Sequence, residues 1–96
     1  MKGQYLDPKQ TPLYLWTAEQ CKVWLIEVLG SLTEVKPNFF EEYNDCIGLT
    51  MMRFYRERNC QCELLILHNG SSCNQSSWLK VREALYVECI RHDVQL

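Results

Sequence analysis

The residues best suited to chemistry lie in one stretch of this 96-residue chain, Cys60-Gln-Cys62, His68 and Cys73. Four sulfur or imidazole donors fall there within fourteen residues. Zinc takes such donors in a tetrahedron, usually from pairs spaced Cys-x2–4-Cys. Cys-x-Cys is tighter than that, and Leu64-Leu65-Ile66-Leu67 between the donors reads as core, so the expectation is ordinary thiols with no cofactor. A disulfide from Cys60 or Cys62 to Cys73 is the redox alternative, depending on compartment. A small regulatory domain stabilised by zinc or a disulfide through Cys60, Cys62, His68 and Cys73 is therefore the rival reading.

Other chemistry finds little support. His68 and His92 fall near expected helix ends, where a protonated imidazole favours the helix dipole. The four glycines are scattered and form no phosphate-cradling loop, and no Ser-His-Asp set or carboxylate pair appears. An enzyme is not expected. Arg53, Arg56 and Arg58 interleave with Phe54 and Tyr55, a pattern seen in nucleic-acid binders. Glu57 interrupts it, and a formal net charge of -2 opposes the counterion release that such binding needs. The expectation there is a solvated helix face with Phe54 turned inward.

The elements that must carry these residues are helical. The composition, 47% apolar and 23% charged, is that of one ordinary globular domain. No apolar run approaches the roughly 18 residues of a membrane span. Residues 1–12 read as a flexible lead, 13–93 as the domain and 94–96 as a tail. Thr17 and Gln20 form a capping box, with Trp16 placed to staple over Cys21. Cys21, Trp24, Leu25, Val28 and Leu29 mark one buried face, and Gly30 suits a left-handed end. This predicts a helix over 17–29. A second helix is expected from Pro37 or Asn38 with Phe39, Phe40 and Tyr43. Cys46-Ile47-Gly48 reads as a turn, and a third helix carries Leu49, Met52, Phe54 and Tyr55 to near Asn59. The segment 60–68 is open between helix and strand, with a short helix favoured. Ser76 or Ser77 is expected to cap a final helix over 77–92. There Trp78, Val81, Leu85 and Cys89 form the buried stripe, widened by Leu79, Tyr86 and Ile90.

Cys21 and Cys89 fall within helical apolar patterns, as thiols in a core do. With no export signal at the polar N-terminus, the cysteines are read as mostly reduced and the protein as intracellular. Sequons at Asn69 and Asn74 point the other way.

The order of these elements resembles the sterile alpha motif (SAM) and its pointed-domain relatives. "LWTAEQCKVWLIEVL" is similar to that family's opening through Trp16, Thr17, Glu19, Trp24 and Leu25. "FFEEYNDCIGLTMMRF" is similar to its middle through Phe40, Ile47, Gly48, Met51 and Met52, and the final helix matches its long last helix. "YRERNCQCELLILHNGSSCNQSS" departs from the family's short acidic turn. The resemblance implies an all-α, compact five-helix bundle with a long C-terminal helix. It further implies a protein–protein interaction module in a signalling, scaffolding or adaptor protein, binding itself or another SAM-like domain. A death-fold module is the helical alternative. A pointed-type domain whose parent contacts DNA elsewhere is another.

Two surfaces associate head to tail in that family. One would map here to Ser77, Trp78, Leu79, Lys80 and Arg82, at the positive start of the last helix. The other would map to the acidic Glu41, Glu42, Asp45 and Glu57. Relatives that bind RNA use basic last helices, whereas here Lys80, Arg82 and Arg91 are offset by Glu83 and Glu88.

Overall fold

The computed structural model describes residues 7–57, 61–66 and 75–91, and these fold as an all-α unit. Two 3-10 turns, Pro8–Gln10 and Leu13–Leu15, lead into α1 (Ala18–Leu29). Then come α2 (Phe39–Glu42), α3 (Ile47–Arg56), α4 (Gln61–Leu64) and α5 (Gln75–Arg91). α2 and α4 are single turns of four residues each.

The start of α1 follows from two side chains. Thr17 Oγ1 accepts from the Gln20 amide at 3.2 Å, and Gln20 Oε1 accepts from the Thr17 amide at 2.8 Å. Two of the amides left unbonded at a helix start are thereby satisfied. Gly30 ends the helix at φ 88°, a left-handed conformation open to glycine without steric penalty. Trp24, Leu25 and Cys21 face inward, and Val28 and Leu29 pack at the core margin.

The lead-in is held to the body from Asp7 onward. The Trp16 indole N–H donates to the Pro8 and Thr11 carbonyls, both at 3.0 Å, and Pro8 is buried. Gln20, also buried, donates through Nε2 to Thr11 Oγ1 at 3.0 Å. The Trp16 ring lies 5.2 Å, centroid to centroid, from the Trp24 ring. Each buried aromatic removes some 150–250 Å² from water, roughly 4–6 kcal/mol of transfer free energy before entropy is subtracted.

α5 packs against both α1 and α3, closing the core around Phe39, Phe54 and Trp78. Phe54 lies 5.9 Å from Phe39 and 6.4 Å, edge-on, from Trp78. Between α1 and α2, Val35 forms an isolated antiparallel bridge with Leu65. The Lys36 amide donates to the Leu64 carbonyl, and the Ile66 amide to the Glu34 carbonyl, both at 2.9 Å. The apolar run Leu64-Leu65 thus straddles a helix end and an extended bridge, with both side chains buried.

Several boundaries differ from expectation. Cys46-Ile47-Gly48 is not a turn but the start of α3, with Cys46 at the cap and Ile47 and Gly48 buried. α3 then buries Ile47, Met51 and Phe54, while Leu49 is 59% exposed. It ends at Arg56 instead of near Asn59. The second helix is reduced to one turn, with Tyr43 just past it. α5 begins at Gln75, so Ser76 and Ser77 lie within the helix and do not cap it. Leu79, Tyr86 and Ile90 do not widen the buried stripe. They stand about 80–120° around the helix from Trp78 and face outward, and Glu88 is buried in their place.

Candidate protein-interaction surface

A 17-residue helix with one apolar stripe inside presents its other faces to solvent. In α5 the inward stripe is Trp78, Val81, Leu85 and Cys89. This orientation divides the five positions expected at the start of the last helix. Trp78 is 2% exposed, and Ser77 donates to Glu34 Oε1 at 2.6 Å beneath the surface. Both support the helix from within and present almost no area to a partner. Leu79 is 49% exposed, Lys80 is exposed and Arg82 is half-buried. The available part of this surface is therefore Leu79, Lys80 and Arg82.

Arg82 is held in a defined pose. Its Nη2 donates to the Tyr55 carbonyl at 3.1 Å, and its guanidinium lies 5.1 Å from the centroid of the Tyr55 ring. Tyr55 in turn stacks against Tyr86 at 6.3 Å. Among the described residues the buried Arg82 Nε–H has no hydrogen-bond partner. Tyr55, Leu79, Arg82, Glu83, Tyr86 and Val87 line an open groove of about 520 Å³ between α3 and α5.

Glu83, Tyr55, Tyr86 and Val87 were not anticipated at this surface. Their signal lies in α5 itself. Leu79, Tyr86, Val87 and Ile90 follow helical spacing but fall about 80–180° from the Trp78 stripe. That is too wide for one buried face, so a second apolar face was readable there.

The acidic positions are all accessible. Glu41, Glu42 and Asp45 are exposed around α2 and the loop before α3. Glu57, just past α3, lies 3.5 Å from Arg53. Arg53 also meets Glu63 of α4 at 2.8 Å, and Glu63 accepts from the Tyr43 hydroxyl at 3.0 Å. The Arg53, Arg56 and Arg58 cluster therefore does not form one open cationic patch. Arg53 is committed to carboxylates, Arg56 is exposed, and Arg58 lies outside the described residues. Phe54 turns inward as expected.

Among the described residues no cluster of three His, Cys, Asp or Glu side chains is placed to hold a metal. Cys60, His68, Cys73, His92, Asn69, Asn74 and the side chain of Cys62 lie outside those described. Cys21, Cys46 and Cys89 are free thiols. Burial pushes the Cys21 thiol far above its ordinary range, and burial followed by the Glu88 charge raises that of Cys89. Both stay protonated and unreactive at neutral pH. Burial, then the bond to Glu63, raises the Tyr43 hydroxyl. No described helix is long and apolar enough to cross a membrane.

No protein-family model, curated protein or solved structure matches this chain.

Proposed function

We propose that this chain is a SAM-like five-helix module that acts by binding protein, itself or a second SAM-like domain, and carries no chemistry of its own. The observation that carries the reading is the outward face of α5. Leu79 and Lys80 stand exposed beside the fixed Arg82 guanidinium, and a separate exposed acidic set, Glu41, Glu42 and Asp45, lies on and just after α2. Opposite charge on two patches steers encounter and sets register. Two different patches on one chain make a head-to-tail contact, which either propagates or stops at a partner with one patch blocked. The sequence of a boxed first helix, a buried glycine at the start of α3 and a long last helix supports the same family reading. Sedimentation equilibrium of the reduced protein over a hundredfold concentration range tests it. A weight-average mass that rises with concentration, unchanged by chelator, is expected. A constant monomer mass alone and with candidate SAM-like partners would contradict it.

A further inference from the structure

Four of the residues lining the α3/α5 groove, Leu79, Arg82, Glu83 and Tyr86, stand at i, i+3, i+4 and i+7 of α5. That spacing places them on one helix face, within an arc of about 100°. Rows three and four residues apart are the ridges through which two helices cross. Leu79 and Tyr86 form the apolar ends of this face, 49% and 53% exposed. Arg82 and Glu83 lie side by side at its middle. Glu83 is exposed and has no ion-pair partner among the described residues. Arg82 is anchored through Nη2 to the Tyr55 carbonyl, with its Nε–H enclosed, which leaves Nη1 for a second acceptor.

Charge decides what such a face accepts. A purely acidic partner would meet Glu83, a purely basic one would meet Arg82, and like charges in contact cost affinity. The matching surface carries the same four residues in reverse order. A two-fold axis passing between residues 82 and 83, with two α5 helices antiparallel across it, supplies that surface. Residue 82 of one copy then lies opposite residue 83 of the other, and residue 79 opposite residue 86. The apolar residues stand about 5 Å along the helix on either side of the axis. Each charge meets its opposite, twice, with no like charges in contact.

We propose that two copies of this chain pair through this face as a closed, symmetric dimer, with Arg82 of each copy on Glu83 of the other and Leu79 on Tyr86. This goes beyond the head-to-tail reading. The same patch serves on both sides, so the contact ends at two chains and cannot propagate. The pair and the head-to-tail contact use the same face of α5, so a copy makes one or the other at a time. In the pair the acidic Glu41, Glu42 and Asp45 stay open. One helix face per copy buries less than about 1,200 Å² in total, the size of weak and transient interfaces. Tyr55 acts in the pair by fixing the Arg82 guanidinium through its carbonyl and its ring.

Charge-reversal variants test the pair by sedimentation equilibrium up to millimolar concentration, with circular dichroism as the fold check. Wild type is expected to approach the mass of two chains and stop there. Glu83→Arg, at an exposed position, sets guanidinium against guanidinium twice, and Arg82→Glu sets carboxylate against carboxylate. Each alone is expected to weaken pairing at least threefold. Mixed one to one, the two variants restore both charge pairs and are expected to form a two-chain species. The head-to-tail contact predicts the opposite for Glu83→Arg, because added positive charge on α5 strengthens binding to the acidic patch. A folded Glu83→Arg that loses less than threefold, or associates more tightly, overturns the symmetric pair and leaves the head-to-tail reading standing. A wild-type mass that grows past two chains does the same. Folded variants that stay monomeric when mixed overturn the pairing. Should Arg82→Glu lose helicity, a Leu79→Cys, Tyr86→Cys chain treated with oxidised glutathione replaces it. Positions 79 and 86 stand about 10 Å apart along one helix, beyond the reach of a disulfide, so the link expected between them joins two chains. Peptide mass mapping that finds no such link overturns the register. A wild-type protein that is monomeric at millimolar concentration overturns both the pair and self-association.

Discussion

Gly48 lies directly against the Leu13 backbone. A Cβ built on Gly48 would run into the Leu13 carbonyl oxygen and stand 2.9 Å from the Tyr14 carbonyl carbon. The first turn of α3 and the 3-10 turn Leu13–Leu15 therefore meet through backbone at a distance that only glycine permits. Leu13 is fully buried at this contact, so the two elements cannot part without opening the core.

Gly48→Ala is expected to destabilise the fold. Alanine favours a helix over glycine by about 1 kcal/mol, but overpacking against rigid backbone costs about 1–3 kcal/mol or more. The clash wins because neither neighbouring group is a flexible side-chain end. A net loss of roughly 2 kcal/mol corresponds to a Tm drop of about 8–16 °C for a domain of this size. Thermal unfolding by circular dichroism checks it, and an unchanged or raised Tm would refute the close approach.

Trp24→Ala removes the ring that packs on Trp16 at the centre of the core. The expected cost is about 3–5 kcal/mol, enough to unfold much of a marginally stable domain. Denaturant titration followed by far-ultraviolet circular dichroism reads this out. A variant within about 1 kcal/mol of wild type would mean that Trp24 is not a core residue.

Stability is expected to fall on the alkaline side. Cys21, Cys89 and Tyr43 all hold their protons more tightly folded than unfolded. Their contribution is complete below the unfolded values, ordinarily 9.0 for the thiols and 10.0 for the tyrosine, and is lost as pH rises through the folded ones. Tm should be flat in this respect to about pH 8 and decline above 9, less steeply in Cys21→Ala. A wild-type Tm that holds or climbs between pH 9 and 10.5 would contradict the direction.

Alkylation should separate the described cysteines. Cys46 is exposed beside Leu49, while Cys21 and Cys89 are buried. Brief iodoacetamide treatment at pH 8 should label Cys46 in the native protein, and Cys21 only after denaturation. Peptide mass mapping that finds native Cys21 modified as fast as Cys46 would contradict the α1 packing.

What could be read from sequence divides along the range of the interactions. Thr17, Gln20 and Gly30 act on backbone within four residues of themselves, and their effect on α1 was legible. The Trp78, Val81, Leu85 and Cys89 stripe was legible because a long helix repeats its spacing. Gly48 misled because a glycine after Cys46-Ile47 reads as a turn signal, whereas its requirement comes from Leu13, thirty-five residues earlier. The segment 60–68 stays open between helix and strand in the sequence because it holds both: the short helix Gln61–Leu64, and Leu65 bridged to the distant Val35. At the proposed interaction surface, the charges of Lys80, Arg82, Glu41, Glu42 and Asp45 are legible in the sequence. Ser77 and Trp78 fall there only through the family resemblance, which maps the start of the last helix without saying which way each side chain faces. Their burial is set by Glu34 and Phe54.

The central claim is that this domain associates through the outward face of α5. Its most direct test compares wild type with a Lys80→Glu, Arg82→Glu double variant by sedimentation across concentration, with helicity matched by circular dichroism. The account predicts wild-type mass that rises with concentration and a folded variant that remains monomeric throughout. A folded double variant that sediments as wild type does, at every concentration, would contradict it.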